Sequence, residues 1–231
     1  MSDKRSNFRL RRFETAVIVP ESGARVGRSA TNNSVQVLYD AVTAAPTVTP
    51  LPTHISYSTL VAHYSFDDGT AAEDSDGRLD GTISGAVATT GRDGSGALAF
   101  DGTDDYVEFP DAVTADILGS NPRTVCLWAV IDDFSVDGGL FSYGAQTDLK
   151  EFALRVDGTA GSLRVQLWTG DTDVALSGSD DGDWHHYCLT YDGSAWVLYF
   201  DGSQAATDTI TLDTGSENAL RLGFWDLFYF T

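Results

Sequence analysis

From residue 60 onwards the chain consists of short runs rich in Val, Leu, Trp, Tyr and Phe, separated by Asp-Gly, Gly-Ser and Gly-Thr turns. Such runs are typical of strands joined by tight turns. No stretch of twelve residues keeps helical spacing without an interrupting glycine. Leu163, Val165 and Leu167 alternate with polar residues, which predicts one strand face in the core and the other in water. The pattern predicts an all-β fold, a two-sheet antiparallel jelly-roll sandwich.

The strand-length runs define ten candidate strands, over residues 61–66, 97–100, 106–109, 123–131, 139–143, 151–156, 162–169, 184–191, 195–200 and 220–231. A region of about 170 residues is long enough to bury roughly 70% of its unfolded surface. We therefore expect this region to have a hydrophobic core of its own.

The first sixty residues differ from the rest in charge and composition. They contain seven basic and four acidic residues, a net charge of +3, whereas the remainder contains seven basic and 30 acidic residues, a net charge of −23. A β-prone run over 15–19 is followed later by a segment with three prolines, which favours extended chain. We predict a docking arm over residues 1–43, a Pro-rich linker over 44–59 and the jelly roll over 60–231. A partly disordered tail is the alternative for the first sixty residues.

The net charge of the chain limits the classes of partner that it can bind and indicates the salt conditions in which it works. The formal net charge is −20, which argues against a nucleic-acid partner because phosphate binding needs clustered Lys and Arg. Only two of the 14 basic residues are Lys, and Asp greatly outnumbers Glu. We interpret this composition as adaptation to high salt, where a strongly hydrated acidic surface keeps a protein soluble. No apolar run approaches the ~20 residues that span a bilayer, so we expect no membrane insertion. The N-terminus lacks the apolar core of a secretory signal, so we expect none.

Several sequence motifs are more specific than a general β-strand pattern. Residues 97–109 read ALAFDGTDDYVEF, and TVCLW, LFSY, WHHYCLTYDG and LYFDG follow in order. The region resembles the concanavalin A-like, laminin-G-like jelly roll, and the resemblance covers about residues 60–231. The contexts TVC and HYCLT resemble the pentraxin-like branch, which implies a disulfide between Cys126 and Cys188. Two buried free thiols are the alternative.

The resemblance also raises the question of calcium. Pentraxin-like proteins hold calcium with an Asp-Asn pair after the FSY strand and a late Glu-Gln-Asp cluster, and neither is present here, so we expect that site to be lost. Two other acidic loops offer the oxygen ligands that calcium prefers. Their candidate ligands are Asp74, Asp76, Asp80, Asp101 and Asp104. Solvated acidic loops of a salt-adapted protein are the alternative.

No motif predicts catalysis. His185 and His186 are neighbours on a strand, point to opposite faces and cannot chelate one metal. The paired carboxylates of glycosidases on this fold lie on an E-x-D-x-x-E type run, which the sequence lacks. We expect no enzyme activity. Lectins stack aromatic side chains on sugars, and the candidate ligand-binding residues are Trp168, Trp196 and Trp225, each of which can equally be a packing residue.

These observations predict a non-enzymatic, lectin-like adhesion or decoration module. We expect residues 1–43 to anchor it to the protein subunits of a larger assembly, such as the capsid decoration, turret or tail of a virion that infects a halophile. We expect a homo-oligomer on a virion or extracellular surface, with cell-surface glycans as ligands. The alternatives are a free or cell-surface calcium-dependent carbohydrate-binding protein and a structural filler with no ligand.

Overall fold

The computed structural model of the chain describes residues 60–74, 77–176 and 181–223, together with the backbone of three strands in the first sixty residues. This part of the chain contains seventeen strands, and the two short 3₁₀ helices span Asp111–Val113 and Ala115–Ile117. Every strand pair within it is antiparallel. None of the helices described is long and apolar enough to cross a membrane.

The first sheet has eight strands. Its spatial order is β16 (Ser203–Thr209), β15 (Ala195–Phe200), β14 (His185–Tyr191), β9 (Arg123–Ile131), β1 (Leu10–Val19), β7 (Gly96–Ala99) and β6 (Val87–Thr90), with β4 (Ala62–Tyr64) also paired to β1. Strand β1 lies within the predicted docking arm over residues 1–43, and its backbone is a member of this sheet. The domain boundary at residue 60 stays a prediction.

The second sheet has seven strands. Its spatial order is β13 (Thr172–Val174), β12 (Ser162–Gln166), β11 (Glu151–Asp157), β10 (Gly138–Gly144), β17 (Arg221–Leu222), β8 (Tyr106–Glu108) and β5 (Thr82–Ser84). The strands β2 (Ala24–Arg28) and β3 (Val35–Tyr39) form a two-stranded sheet that is paired with neither of the others.

The core lies between the two large sheets and is built by the alternation seen in the sequence. Leu163, Val165 and Leu167 are each 0% exposed, as the pattern predicts. Large aromatic side chains from both sheets meet there, and the rings of Phe152 on β11 and Tyr191 on β14 have centroids 6.5 Å apart. The all-β sandwich predicted from the sequence is confirmed.

The ten candidate strands all contain strand residues in the part of the chain described, and the last of them lies mostly outside it, beyond residue 223. After residue 60, four described strands were not predicted: β5, β6, β13 and β16. The first three have only three or four residues. The fourth reads SQAATDT and is mostly exposed, because it is the edge strand of its sheet and needs no apolar face.

The predicted disulfide is present. Cys126 on β9 lies directly opposite Cys188 on β14, and their sulfur atoms are bonded at 2.07 Å. The alternative of two free thiols is therefore wrong. The bond lies on the outer face of the first sheet, next to Trp128 and His186, whose rings have centroids 5.2 Å apart. We call this surface the disulfide face.

Arg123 is a buried cation that the sequence did not reveal. Its side chain is 0% exposed, and its guanidinium lies 4.6 Å from the Phe152 ring and 4.7 Å from the Tyr191 ring. The guanidinium also donates to the Thr214 hydroxyl and to the backbone carbonyls of Ile117, Gly119 and Asn121. Burial lowers the pKa of Arg123. The residue ties a loop at one end of the sandwich to the core.

Candidate functional site

The outer face of the seven-stranded sheet holds a straight row of residues on five neighbouring strands. Glu108 is paired with Arg221, Arg221 with Ser142, Ser142 with Ala153, and Ala153 with Gln166. The residues before and after them on each strand belong to the core, so the row faces away from it. Small residues stand in the middle of the row and long polar ones at its ends. The sizes of these side chains give the row the outline of a shallow trough, in which Ser142 is partly exposed and Ala153 is buried.

One wall of the trough is a polar network on β11 and β12. The Nε of Arg155 donates to the Oε1 of Gln166 at 2.9 Å, and the Gln166 amide donates to the Oδ2 of Asp171 at 2.7 Å. Arg155 also donates to Asp157 at 3.0 Å and to Asp137 at 3.2 Å. A side chain held at both ends keeps one conformation, so this wall is preorganised.

The charges of this wall are stabilised as ions. Arg164 forms a two-contact pair with Asp173, at 2.6 and 2.8 Å, and contacts Asp157 at 2.7 Å. Burial pushes the pKa of Asp157 upwards, but the N–H of Ala160 and the two guanidinium groups outweigh it and leave the pKa lowered. The hydrogen bond from Arg164 lowers the pKa of Asp173 as well. Both carboxylates are ionised at neutral pH.

The opposite wall is an ion pair beside an aromatic ring. Arg221 donates to the Oε2 of Glu108 from Nε at 2.8 Å and from Nη2 at 2.6 Å. The same guanidinium lies over the ring of Tyr106, 4.9 Å from its centroid. The side chains of Arg221 and Glu108 are 34% and 41% exposed, so this wall is partly accessible to solvent.

The sequence predicted that the polar face of β12 would be exposed to solvent. This is wrong for Gln166, whereas the Arg164 side chain is 25% exposed. Gln166 and Arg155 are each 4% exposed, and Ala153 is 0% exposed. The Arg155 side chain lies along the sheet and bonds to Gln166 and Asp157, which satisfies these polar groups where they are buried. We call this surface, defined by Glu108, Ser142, Ala153, Arg155, Gln166 and Arg221, the polar face.

The three tryptophans have different surroundings. Trp196 is 0% exposed in the core, so its prediction as a ligand-binding residue is wrong. Trp225 lies outside the residues described. Trp168 is half-buried two residues after Gln166, with a left-handed backbone (φ 68°), in a loop closed by Asp171, which accepts from the N–H of Leu167 at 2.7 Å. Trp168 therefore stays a candidate, and Trp225 stays an untested prediction.

One of the two acidic loops brings carboxylates together. Ligand atoms of Asp101, Asp104 and Asp105 all lie within 4.8 Å of one another. Burial and the two neighbouring carboxylates raise the pKa of Asp105, against a hydrogen bond from the N–H of Asp101. Gly85, at φ 76°, faces the Asp105 carboxylate so closely that any side chain there would collide with it. The cluster supplies three of the six to eight oxygens that calcium takes, so its donor set fits that ion.

The other acidic loop is arranged differently. The Oδ1 of Asp74 accepts from the N–H of His63 at 3.1 Å, and the Oδ1 of Asp80 accepts from the N–H of Asp74 at 3.0 Å. Asp76 lies outside the residues described. Asp74 and Asp80 do not join the cluster at residues 101–105, and the sequence had not included Asp105 among the ligands.

The adjacent histidines lie on opposite faces of β14, as predicted. His185 is held between two carboxylates, with Nδ1 2.7 Å from Asp201 and Nε2 3.0 Å from Asp181. Burial lowers the pKa of His185, but the hydrogen bonds to Asp201 and Asp181 outweigh burial and raise it. Burial lowers the pKa of His186 to about 4. Neither ring is part of the polar face.

A family model described as the concanavalin A-like lectin/glucanases superfamily matches residues 101–225, more than half of the chain. The chain belongs to this superfamily. The matched segment contains all six residues of the polar face and the Asp101 cluster. No curated protein matches the chain.

A solved structure with the same fold is domain 4 of AbnA, a GH43 extracellular arabinanase from Geobacillus stearothermophilus, in complex with arabinotriose. The two are 21% identical with a TM-score of 0.54, over 72% of this chain and 84% of the other. At this identity the likeness shows the fold alone. The family match and this shared fold confirm the resemblance to the concanavalin A-like jelly roll that the sequence motifs indicated.

Proposed function

We propose that this protein is a non-enzymatic carbohydrate-binding module that holds an extended, neutral oligosaccharide in the trough of the polar face. The observation behind the proposal is the row from Glu108 to Gln166, with Ser142 and Ala153 as its floor. An extended sugar chain fits a shallow trough, and its hydroxyls match the amide, guanidinium and carboxylate groups of the walls. The structural neighbour, a domain in complex with arabinotriose, supports this class of ligand.

A neutral ligand follows from the charges of the face. Arg155, Arg164 and Arg221 are each paired with carboxylates, so the described residues of this face offer no unneutralised cationic cluster to an anionic glycan. The chain from residue 61 on has a net charge of −23, which repels anions over a distance of several ångströms even at moderate salt. A neutral sugar has no net charge and is therefore not repelled by this acidic surface.

We propose that the module does not cleave the sugar that it binds. A glycosidase needs one carboxyl group whose raised pKa lets it donate a proton to the leaving group. Asp157 and Asp173, which pair with the arginines beside the trough, have lowered pKa values, which is the opposite of that requirement. Glu108 in the trough is held in an ion pair with Arg221. The trough is therefore suited to binding a sugar and leaving its bonds intact.

We also propose that Asp101, Asp104 and Asp105 bind calcium, which would make the module a calcium-dependent one. A bound ion would offset the mutual repulsion of the three carboxylates. We expect millimolar CaCl2 to raise the Tm of the wild-type chain, with stabilisation of about 2.7 kcal/mol at 100 times the Kd. Asp104→Asn should remove this rise, and Asp183→Asn serves as a control on another exposed loop. An equal rise in all three proteins would overturn the calcium proposal.

The site of action is proposed from the composition. The acidic surface suits a protein that works in high salt, and the basic first sixty residues suit an anchor to the subunits of a larger assembly such as a virion of a halophile. Sedimentation of the native protein tests this part. Co-migration with a large particle supports the anchor, and slow sedimentation favours a free carbohydrate-binding protein.

The direct test of function is binding to a glycan array and to arabinotriose in high salt. We expect Ser142→Phe to abolish binding, because its ring would fill the trough on the outside of the sheet. Ser203→Phe, the same change on the exposed strand β16 of the other sheet, should bind like the wild type. Loss of binding in both variants, or binding that survives Ser142→Phe, would contradict the proposed face.

A further inference from the structure

Trp168 has a backbone conformation that is unfavourable for a large side chain. Its φ of 68° lies in the left-handed region, where a bulky residue is an outlier. Glycine takes this conformation without a steric cost. Outliers of this kind persist only where the surrounding structure holds them, and they concentrate at binding sites. A tryptophan at this position therefore indicates a role that a glycine cannot fill.

The indole N–H of Trp168 is a second unfavourable feature of the same residue. Its Nε1 is buried from solvent and has no hydrogen-bond acceptor in the part of the chain that the structure describes. A buried donor without an acceptor has lost its hydrogen bond to water and gained none in return. The side chain as a whole is only half-buried, so a turn about its side-chain bonds could bring the N–H to a partner outside the protein.

The contacts on either side of Trp168 hold its backbone beside the trough. Asp171 accepts from the N–H of Leu167 and from the amide of Gln166, each at 2.7 Å. The carbonyl of Leu167 accepts from the N–H of Leu149 at 2.9 Å, and the Leu167 side chain is buried in the core. Gln166 belongs to the polar face, and Trp168 follows it by two residues, about 7 Å of extended chain. The backbone is therefore fixed within reach of a ligand in the trough.

We propose that the Trp168 ring turns when an oligosaccharide enters the trough, so that its indole N–H donates to a sugar oxygen. This inference rests on the proposed function and adds a residue that determines affinity and specificity. The indole has one donor and no acceptor, so it selects a sugar oxygen that can accept. Because this donor has already lost its water, the new hydrogen bond is not offset by its desolvation and adds to affinity. The turned ring can also stack on the apolar face of the sugar.

The first test removes the N–H and keeps an aromatic ring. Trp168→Phe in the full-length chain should weaken binding of arabinotriose, or of the strongest ligand from the glycan array, about tenfold. Trp128→Phe, the same change on the disulfide face, should bind like the wild type. Equal affinities for the wild type and Trp168→Phe would overturn the inference.

The second test follows the indole itself by NMR. The indole N–H signal of Trp168 is assigned by its loss in Trp168→Phe. We expect it to move downfield on titration of the wild type with the same ligand, as a proton does when it enters a hydrogen bond. Amide shifts at Ser142 and Gln166 without a change in this indole signal would overturn the inference and leave the proposed function intact. No amide shift at Ser142 or Gln166 would contradict the proposed function itself, and with it this inference.

The third test needs no ligand. Trp168→Gly removes the ring and suits the left-handed backbone, so its urea midpoint should equal or exceed that of the wild type. Trp128 is also half-buried but lies on strand β9 against His186, so Trp128→Gly should lower the midpoint. A fall of the same size in both variants would show that Trp168 is a packing residue and would overturn the inference.

Discussion

The two outer faces of the sandwich are built from different interactions. The disulfide face contains the bond between Cys126 and Cys188 and the Trp128 and His186 rings, which contact each other at a tilt of 57°. The Arg92 guanidinium lies 4.4 Å from the centroid of the Trp128 ring. The polar face has no covalent link among its described residues and is held by ion pairs and amide hydrogen bonds around Arg155. A covalent and aromatic surface stabilises the fold, whereas a surface of polar groups can also exchange hydrogen bonds with a ligand.

The largest effect on stability should come from the disulfide face. We expect the double variant Cys126→Ala, Cys188→Ala to lose about 4 kcal/mol of unfolding free energy, because the bond closes a loop of 62 residues. Urea unfolding measures the change. Glycan binding by the variant that remains folded should be unaltered, since the bond lies on the other sheet. Loss of binding by folded protein would contradict the separation of the two faces.

On the polar face the largest effect should follow from Arg155→Met. The substitution leaves Asp157, which is 8% exposed, without one of its cations, and breaking such a buried pair costs about 3 kcal/mol. Arg164→Gln is the comparison, because the Arg164 side chain is 25% exposed and solvent screens its pairs. Equal losses for the two variants in urea unfolding would show that the network around Arg155 is no more important than a surface pair.

The two histidines on β14 should affect the pH dependence of the unfolding free energy in opposite directions. His185 has a raised pKa in the folded state, so its contribution is fully present below pH 6.5 and is lost as the pH rises through the raised value. His186 has a pKa lowered to about 4, so protonation opposes folding between pH 6.5 and about 4.

Thermal unfolding across pH tests these signs. The Tm difference between the wild type and His185→Gln should shrink as the pH rises above 6.5. The wild type should lose stability relative to His186→Asn as the pH falls from 6.5 towards 4. The same pH dependence in both comparisons would contradict the assignment.

The smallest effect on stability is expected at the open wall of the trough. Arg221→Gln removes a partly exposed ion pair with Glu108, which is worth about 0.5 kcal/mol or less. The same change should weaken oligosaccharide binding about tenfold, because the guanidinium and the Tyr106 ring form the open wall. A variant that loses stability and keeps its affinity would show that this wall is structural.

The fold could be predicted from the sequence because its signals are local. Turn dipeptides mark the strand ends, and the alternation of Leu163, Val165 and Leu167 defines the core face. Strand β16 escaped prediction because a polar edge strand has no apolar alternation to detect. The disulfide was implied by the contexts of Cys126 and Cys188 in the family resemblance.

The candidate site could not be predicted, because it depends on register. Glu108 and Gln166 are 58 positions apart in the sequence, and only the pairing of five strands brings them into one row. The burial of Arg155 also depends on partners from neighbouring strands and loops. Nothing in the residue types alone distinguishes Trp196 in the core from Trp168 at the rim.

The central claim is that the trough of the polar face binds a neutral oligosaccharide. Titration of isotope-labelled protein with arabinotriose, or with the strongest ligand from the glycan array, tests it most directly by amide chemical shifts. The account predicts that the largest shifts cluster at Ser142, Ala153, Gln166 and Arg221, with the disulfide face unchanged. Shifts confined to the Asp101 loop or the disulfide face, or no binding to any glycan, would contradict it.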